Sequence, residues 1–518
     1  MSRAERSTRV AANAWASMMS NVASLMVGLV AVPLTLRALG TEGYGTFQVL
    51  TSLGNIAAFA DAGLGLAVLT RVGQLAGAGQ HDQIRQTVGG ALLVIAAVVV
   101  VVAGLAVAAL RIWDVPAYLK VPLSLQVQAQ HGCLIVVAAF SVRMLLSVFS
   151  SAHAGMQITH LLVRWSVGSA LVTQTVTVAV ATATRRLDLA LGGQAILSLL
   201  GAAGAARLGC ALAPATRPLF GLRYAAEGWH LLRSGFVYYL LQIEVLIIGS
   251  IDNVVIAKLL GVQAVALYSL TSRAITLAFS MVYSLGVSFW GGVAQAIGSG
   301  DIEWIRTEAS RMRRLGTLWM AVIAGGFAAV GAPVIALWTG GRLLIDPWLP
   351  VALGTYYALL GHTMIDASIL NGAEKIRQQV VTVGFDAILN LTLSVLLARR
   401  IGYTGVGLGT LVAYATCTFL PQQIFSWRLV VKGSRPPFWT RSLTTVVLSI
   451  ASGVGIHRLL TGPLALQPLA ATLIGGVASV AVTLVFVRVV VGREGIETLV
   501  RTLRRRAPAP VTTESLSP

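Results

Sequence analysis

Apolar residues run through the chain in long, nearly unbroken stretches from about residue 10 to residue 491, and short polar segments separate them. A helix needs about 20 apolar residues to cross a hydrocarbon layer about 30 Å thick. By that measure the pattern predicts fourteen crossings, at about 10–36, 44–70, 87–110, 129–151, 162–183, 189–213, 234–260, 266–290, 315–338, 350–370, 379–398, 405–430, 442–460 and 468–491. Stretches this long and continuous read as helices, because the strands of a membrane barrel would alternate apolar and polar positions over about ten residues. The expected fold class is all-α: a polytopic membrane protein with about 14 transmembrane helices.

Composition agrees. Of the 518 residues, 56% are hydrophobic and 11% charged, against about a quarter charged in a soluble domain, and the mean hydropathy is +0.80. A soluble globule, a disordered chain and a fibrous repeat are thereby excluded. Arg3, Arg6 and Arg9 precede the first apolar stretch, but that stretch is too long for a signal-peptide core and is expected to stay as a helix. Cys133, Cys210 and Cys417 each fall in an apolar stretch, with no CxxC pair, and read as small core residues.

The chain carries 38 Lys and Arg against 19 Asp and Glu, a net +19. In a soluble protein such an excess would suggest nucleic acid. Here its position decides the matter, because short loops rich in Lys and Arg stay on the cytoplasmic side. With the N-terminus inside, the cytoplasmic segments hold 26 basic residues and the opposite face 10, so both termini are expected in the cytoplasm. The net charge divides into +16 for cytoplasmic segments, +6 for outer segments and −3 for the spans. The excess therefore reports topology, and no nucleic-acid partner is expected.

The loops limit the chemistry. The longest, about 214–233 and 298–314, leave no room for a soluble catalytic or nucleotide-binding domain. A Walker A loop needs Gly-Lys-Ser/Thr to hold phosphates, and Lys120, Lys258, Lys375 and Lys432 all lack a preceding glycine. HExxH and GxSxG are absent, and the seven histidines show no metal-ligand spacing. The expectation is a secondary transporter with no cofactor and no metal, and not an enzyme.

An internal repeat adds architecture. The segment LGTEGYGTF at 39–47 and the segment LGVQAVALY at 260–268 each place an aromatic, Phe47 or Tyr268, seven residues after the glycine of a Leu-Gly pair. Gly40 and Gly261 are 221 residues or six spans apart, so the copies share one orientation in the membrane. That predicts two six-helix lobes in a pseudo-two-fold arrangement about the membrane normal, plus two extra C-terminal helices. The corresponding division is a lobe at 1–213, a cytoplasmic linker at 214–233, a second lobe at 234–430, two further helices at 442–491 and a basic, disordered tail at 492–518. Pro33 and Pro421 are candidate kinks, and pairs such as Gly325–Gly326 and Gly475–Gly476 are candidate close-packing points.

The runs PLTLRALGTEGYGTFQVL and DAGLGLAVLTR in the first half, with SIDNVVIAKLLGVQAVALYSLTSRAITL and the Gly300-Asp301 loop in the second, resemble the polysaccharide-transport branch of the multidrug/oligosaccharidyl-lipid/polysaccharide exporter superfamily. Within that branch the chain is most similar to Wzx-type flippases of lipid-linked oligosaccharides. The resemblance implies a bacterial inner-membrane protein that exposes a cavity alternately to either side and carries an undecaprenyl-diphosphate-linked glycan to the periplasmic leaflet. In the related lipid II flippase the two added helices help form a groove for the lipid tail. Polysaccharide polymerase or export proteins and membrane lipids are the implied partners. A cation-coupled multidrug or small-molecule exporter of the same superfamily is the alternative. A membrane polysaccharide polymerase or ligase fits less well, because the outer segments are short.

Charged residues within spans are costly and mark pathways or partners. Arginine suits a diphosphate because its planar fork binds two oxygens at once. Arg143 and Arg273 are the substrate-binding candidates inside spans. Their alternatives are structural pairing with Asp61 and Asp252 respectively. Arg273 also resembles a cavity arginine of the lipid II flippase. Arg71 and Arg164 are candidates at the cytoplasmic mouth, where anchoring to anionic lipid headgroups is the competing role. Without an ATP site, uphill movement needs an ion gradient or the membrane potential, so a proton or sodium ion is the expected coupling partner. His362 and Asp366 are four apart and could relay a proton. Asp386 and Asn390, also four apart, offer oxygens to a hard cation. Glu244, Asp252 and Asp61 complete the ion-coupling candidates. For each of these the competing role is an interhelical hydrogen bond.

Overall fold

The computed structural model describes the chain except residues 1–2, 58–62, 115, 117–120, 339–343, 432–437, 465 and 491–518; some helical side chains, that of Glu244 among them, also lie outside the description. Asp61 lies outside the described residues as well. Every described element of regular structure is a helix. Eight of the described helical stretches are long and apolar enough to cross a membrane, the most apolar being His81–Ile112. This is a multi-pass membrane protein, as the hydrophobic pattern predicts.

The chain forms two compact units, one reaching Tyr239 and the other starting at Leu240. The first contains α1 (Arg3–Ala57), α2 (Leu64–Gly77), α3 (His81–Ile112), α4 (Gln126–Gly155), α5 (Thr159–Thr184), α6 (Leu187–Leu212) and the beginning of α7 (Ala225–Leu260). Within it α4 packs on α1, α2, α3 and α6, while α5 lies against α1 and α6. Phe47, Leu50, Cys133 and Leu191 belong to its core, so Cys133 does serve as a small core residue.

The second unit contains the rest of α7, then α8 (Val262–Gly298), α9 (Ile302–Trp338), α10 (Trp348–Gly372), α11 (Arg377–Ala413), α12 (Leu420–Phe425), α13 (Phe438–Thr461) and α14 (Pro468–Val490). Its centre is α9, against which α8, α10, α13 and α14 pack. Ile256, Ile275, Met320 and Leu353 are among its core residues. On the outward faces of both units the exposed side chains are largely aliphatic, for example Val100, Val101 and Leu105 on α3 and Leu473 and Val477 on α14. In water such faces would demand cover; in hydrocarbon they are already in their preferred solvent.

Glycine lets α13 and α14 approach α9. A Cβ on Gly453 would collide with the Gly325 carbonyl oxygen, and one on Gly475 would meet Val330 at 2.7 Å. Gly326 and Gly476 face open space, so only one member of each expected packing pair is used in this way. Around Pro421 the winding loosens to π-helical turns at Tyr414–Phe419 and Ser426–Val431. Proline has no N–H for the carbonyl one turn back, and π winding is one way a helix absorbs that loss. In α1 the non-helical torsions fall at Gly40 (φ 72°, ψ 173°); Pro33 lies within the continuous helix.

The repeat is visible in the backbone. Gly261 has φ 87° and ψ 168°, nearly the torsions of Gly40, in a region essentially restricted to glycine. A second pair, Gly79 and Gly300, is again 221 residues apart with φ 73° and 70°. Their turns share one hydrogen-bond scheme: Gln80 N–H donates to Leu75 O at 2.9 Å, and Asp301 N–H to Ala296 O at 2.8 Å. A third pair, Gln157 and Glu374, carries φ 59° and 56°, with Ile158 N–H to His153 O at 3.1 Å and Lys375 N–H to Leu370 O at 2.8 Å. The two units thus repeat the same succession of turns although the residues in them differ.

A methyl group at Gly40 or Gly261 would touch nothing within 4 Å, so the cost of a side chain there is purely torsional. Gly261→Ala is expected to destabilise the purified protein by about 1–3 kcal/mol. Gly326→Ala, on an open helical position, should leave thermal unfolding unchanged or slightly raised.

Candidate functional site

The four arginine candidates fall into distinct environments. Arg71 on α2 donates through Nε to Glu227 Oε1 at 3.2 Å, and both side chains are about one-third exposed. One residue away Thr70 Oγ1 lies 3.1 Å from Tyr238 Oη, and a Cβ on Gly63 would collide with the Gly235 carbonyl oxygen. Arg71 is therefore one strut of a close α2–α7 contact. Arg164 on α5 and Arg273 on α8 are exposed, and neither has an ion-pair partner among the described residues. In particular Arg273 does not pair with Asp252, whose oxygens are occupied by other groups.

Arg143 lies where ligand chemistry is available. It lines a cavity of about 770 Å³ between α4, α5 and α6, with Thr51 of α1 at one edge. The walls carry hydroxyls from Ser147, Ser166, Ser169, Thr173 and Ser198, together with Gln194 and His153. Arg143 itself has no ion-pair or hydrogen-bond partner among the described residues, and the described lining contains no carboxylate. Local sequence permits the cavity: small residues Ala195, Ala202, Ala205 and Ala206 hold the α6 wall back.

The second unit gathers the intramembrane acids. Asp252 on α7 is buried and accepts from Tyr268 Oη at 2.5 Å and Thr410 Oγ1 at 2.9 Å. Ser394 Oγ stands 3.5 Å from Asp252 Oδ1 and 2.9 Å from Asn390 Oδ1. Further along α11, Asp386 Oδ2 accepts from Thr418 Oγ1 at 2.8 Å. Asp386, Asn390 and Ser394 recur at every fourth position, so one helix face forms a polar ladder against α7, α8 and the Tyr414–Phe419 turn. Two of its buried polar atoms, Asp386 Oδ1 and Asn390 Nδ2, have no partner among the described residues. Asp252 and the Asp386–Asn390 pair, separate candidates in the sequence, belong to this one cluster.

His362 and Asp366 do share a face of α10, but each turns to a different partner. His362 Nδ1 lies 2.9 Å from Gln423 Nε2. Asp366 is fully buried and ion-paired with Arg313 of α9, and it accepts from Ser426 Oγ at 2.6 Å. Arg313, 1% exposed, also lies over the Trp427 ring at 4.6 Å. The stretch 298–314, expected as a loop, is helical from Ile302, and Arg313 is buried on that helix. The signal for it was the lone Asp366 in an apolar stretch, which needs a hydrogen-bonding or charged partner. Sequence could not say which of Arg311, Arg313 or Arg314 would supply it.

The family model described as polysaccharide biosynthesis protein matches residues 10–289. No curated protein matches the chain in sequence. Among solved structures the fold is similar to a mutant of the Vibrio cholerae MATE transporter VcmN, with 17% identity, a TM-score of 0.69, and 83% of this chain and 99% of that one covered. It is also similar to the eukaryotic MATE transporter AtDTX14, with 13% identity, a TM-score of 0.64, and 86% and 99% covered. A third is an outward-facing multidrug resistance MATE family transporter of the MOP superfamily, with 14% identity, a TM-score of 0.66, and 82% and 96% covered.

Asp366→Ala would leave Arg313 buried and uncompensated, and is expected to cost about 3–5 kcal/mol. Replacing both partners, as Arg313→Met with Asp366→Leu, should recover most of that loss in thermal unfolding of the purified protein. A double variant as unstable as the single one would show that the pair is not the source of the cost.

Proposed function

Since the chain belongs to the polysaccharide biosynthesis protein family, we propose that it is a flippase that moves an undecaprenyl-diphosphate-linked oligosaccharide from the cytoplasmic to the periplasmic leaflet. It works as a secondary transporter of the bacterial inner membrane, with both termini in the cytoplasm, exposing its substrate site alternately to the two sides. The observation that carries the reading is Arg143, a cation without a partner among the described residues, in a hydroxyl-lined cavity whose described walls hold no carboxylate. Such a site suits an anionic, polyhydroxylated head group through charge-assisted hydrogen bonds. Arg273, likewise without an ion-pair partner among the described residues, is a further substrate-binding candidate. Arg164 assists at the cytoplasmic mouth, while Arg71 acts mainly through its strut to Glu227.

The energy source is a sodium ion or proton acting at the Asp252 cluster. A sodium ion would use the unpartnered Asp386 Oδ1, while a proton would neutralise Asp252 and weaken its hold on Thr410. Glu244 and Asp61 stay as secondary coupling candidates. Asp366 is committed to Arg313 and His362 lies against Gln423, so both contribute to stability first. The MATE fold of the solved neighbours favours a second reading, a cation-coupled drug exporter. The lack of a carboxylate among the described walls of the Arg143 cavity weighs against it for cationic drugs.

In a strain lacking the protein, lipid-linked glycan should accumulate on the cytoplasmic side; drug sensitivity without such accumulation would identify an exporter instead. Arg143→Ala with Arg273→Ala, expressed at normal levels, should abolish glycan export, and intact export would refute the proposal. In proteoliposomes Asp252→Asn should lower gradient-driven flipping about tenfold, a barrier change of about 1.4 kcal/mol. An undiminished response to both sodium and proton gradients would exclude Asp252 from coupling.

A further inference from the structure

The walls of the cavity between α4, α5 and α6 differ in what they can give and what they can take. Most of their hydroxyl hydrogens are already spent on the helices' own carbonyls. Ser147 donates to Met144 O at 2.7 Å, Ser166 to Leu162 O at 3.1 Å, Ser169 to Ser166 O at 3.0 Å, Thr173 to Ser169 O at 2.7 Å and Ser198 to Ala195 O at 2.9 Å. What these groups still offer the cavity is lone pairs.

Two amphoteric or accepting groups are left with unmet demand. Gln194 Oε1 is buried without a partner among the described residues, and so is His153 Nε2, on a side chain 2% exposed. The His153 ring is held in place by Gly209, where a Cβ would collide with the imidazole. Against these groups stands one strong and uncommitted cationic donor, the Arg143 guanidinium.

A ligand that satisfies this set must donate many hydrogen bonds and carry a compact group of anionic oxygens. A hydrocarbon tail would leave the walls unpaired at a cost in free energy, and an organic cation would meet Arg143 with no counter-charge. Inorganic anions offer few donors or none. At about 770 Å³ the space is that of a small-ligand site.

We infer that this cavity is a carbohydrate subsite selective for a sugar bearing a carboxylate or phosphate, with Arg143 on the anionic oxygens and Gln194, His153 and the serine and threonine oxygens on sugar hydroxyls. The inference rests on reading the chain as a glycan flippase, and it narrows that reading: recognition of the glycan lies within the first unit and depends on an acidic sugar.

The test is saturation-transfer NMR on the full chain in lipid nanodiscs, with trigalacturonic acid, glucose 1-phosphate and neutral galactotriose as probes. The two anionic probes should bind about tenfold more tightly than galactotriose, a difference that Arg143→Gln should erase. Arg143 is exposed, so its loss is not expected to disturb folding. Gln194→Met, which removes the unpartnered oxygen without emptying its space, should weaken anionic and neutral probes alike. Equal affinity for anionic and neutral probes, or an unchanged preference in Arg143→Gln, overturns the subsite. If only one of the two anionic probes is preferred, the subsite stands and the source of its anion is identified. A protein that flips lipid-linked glycan but shows no anionic preference refutes this inference and leaves the flippase reading intact. Anionic preference through Arg143 without flipping does the reverse.

Discussion

A polar group inside a hydrocarbon layer has no water to fall back on, and the architecture of this molecule is a set of answers to that constraint. Backbone groups are answered by helix, which is why the described regular elements are helical throughout. Side chains are answered less uniformly. Most serines and threonines return their hydrogens to a carbonyl three or four residues back, as Thr317 does to Arg313 O at 2.8 Å. Charges cannot be met that way, and the places where they are met by something else define the distinctive parts of the fold.

The two units meet the constraint differently. In the second, carboxylates are buried and enclosed: Asp366 by Arg313 and Ser426, Asp252 by Tyr268 and Thr410, Asp386 by Thr418. These contacts join helices distant in sequence, so the acids help to fix the packing of α7 to α12. Removing one partner of such a set is costly because the other is left stranded. In the first unit the position is reversed, since Arg143 is exposed to a cavity and has no partner among the described residues. A charge that the protein does not neutralise is available to something else.

The duplicated turns show how little sequence identity a repeat needs when its geometry is set by torsion. Gly40 and Gly261 share backbone angles, and the pairs Gly79 with Gly300 and Gln157 with Glu374 close their turns through the same hydrogen bonds. Only the first pair announced itself in the residues. Gln157 and Glu374 share no sequence pattern around them that marks a repeat, yet both occupy the left-handed region, and in the first unit Asn13 Nδ2 reaches across to Gln157 Oε1 at 2.8 Å.

The sequence by itself determined the membrane, the helical class, the approximate ends of most described helices and the Leu-Gly repeat; its crossing at 44–70 is instead interrupted at Gly63, after which a separate helix starts. Each of these follows from local quantities: runs of apolar residues, the length a bilayer demands, and the torsions that glycine permits. It also supplied the Asp386–Asn390 step of the polar ladder, because a spacing of four on α11 is local. Tertiary structure decided which charges meet. That Arg313 leaves the polar run at 311–314 to join Asp366, that Arg273 does not join Asp252, and that Arg71 is tied to Glu227 while Arg143 opens on a cavity all depend on helix rotation and approach. Those are set by small residues such as Gly63, Gly209 and Gly453 at distant contacts, and pairwise approach across hundreds of residues has no signature in a single chain of letters.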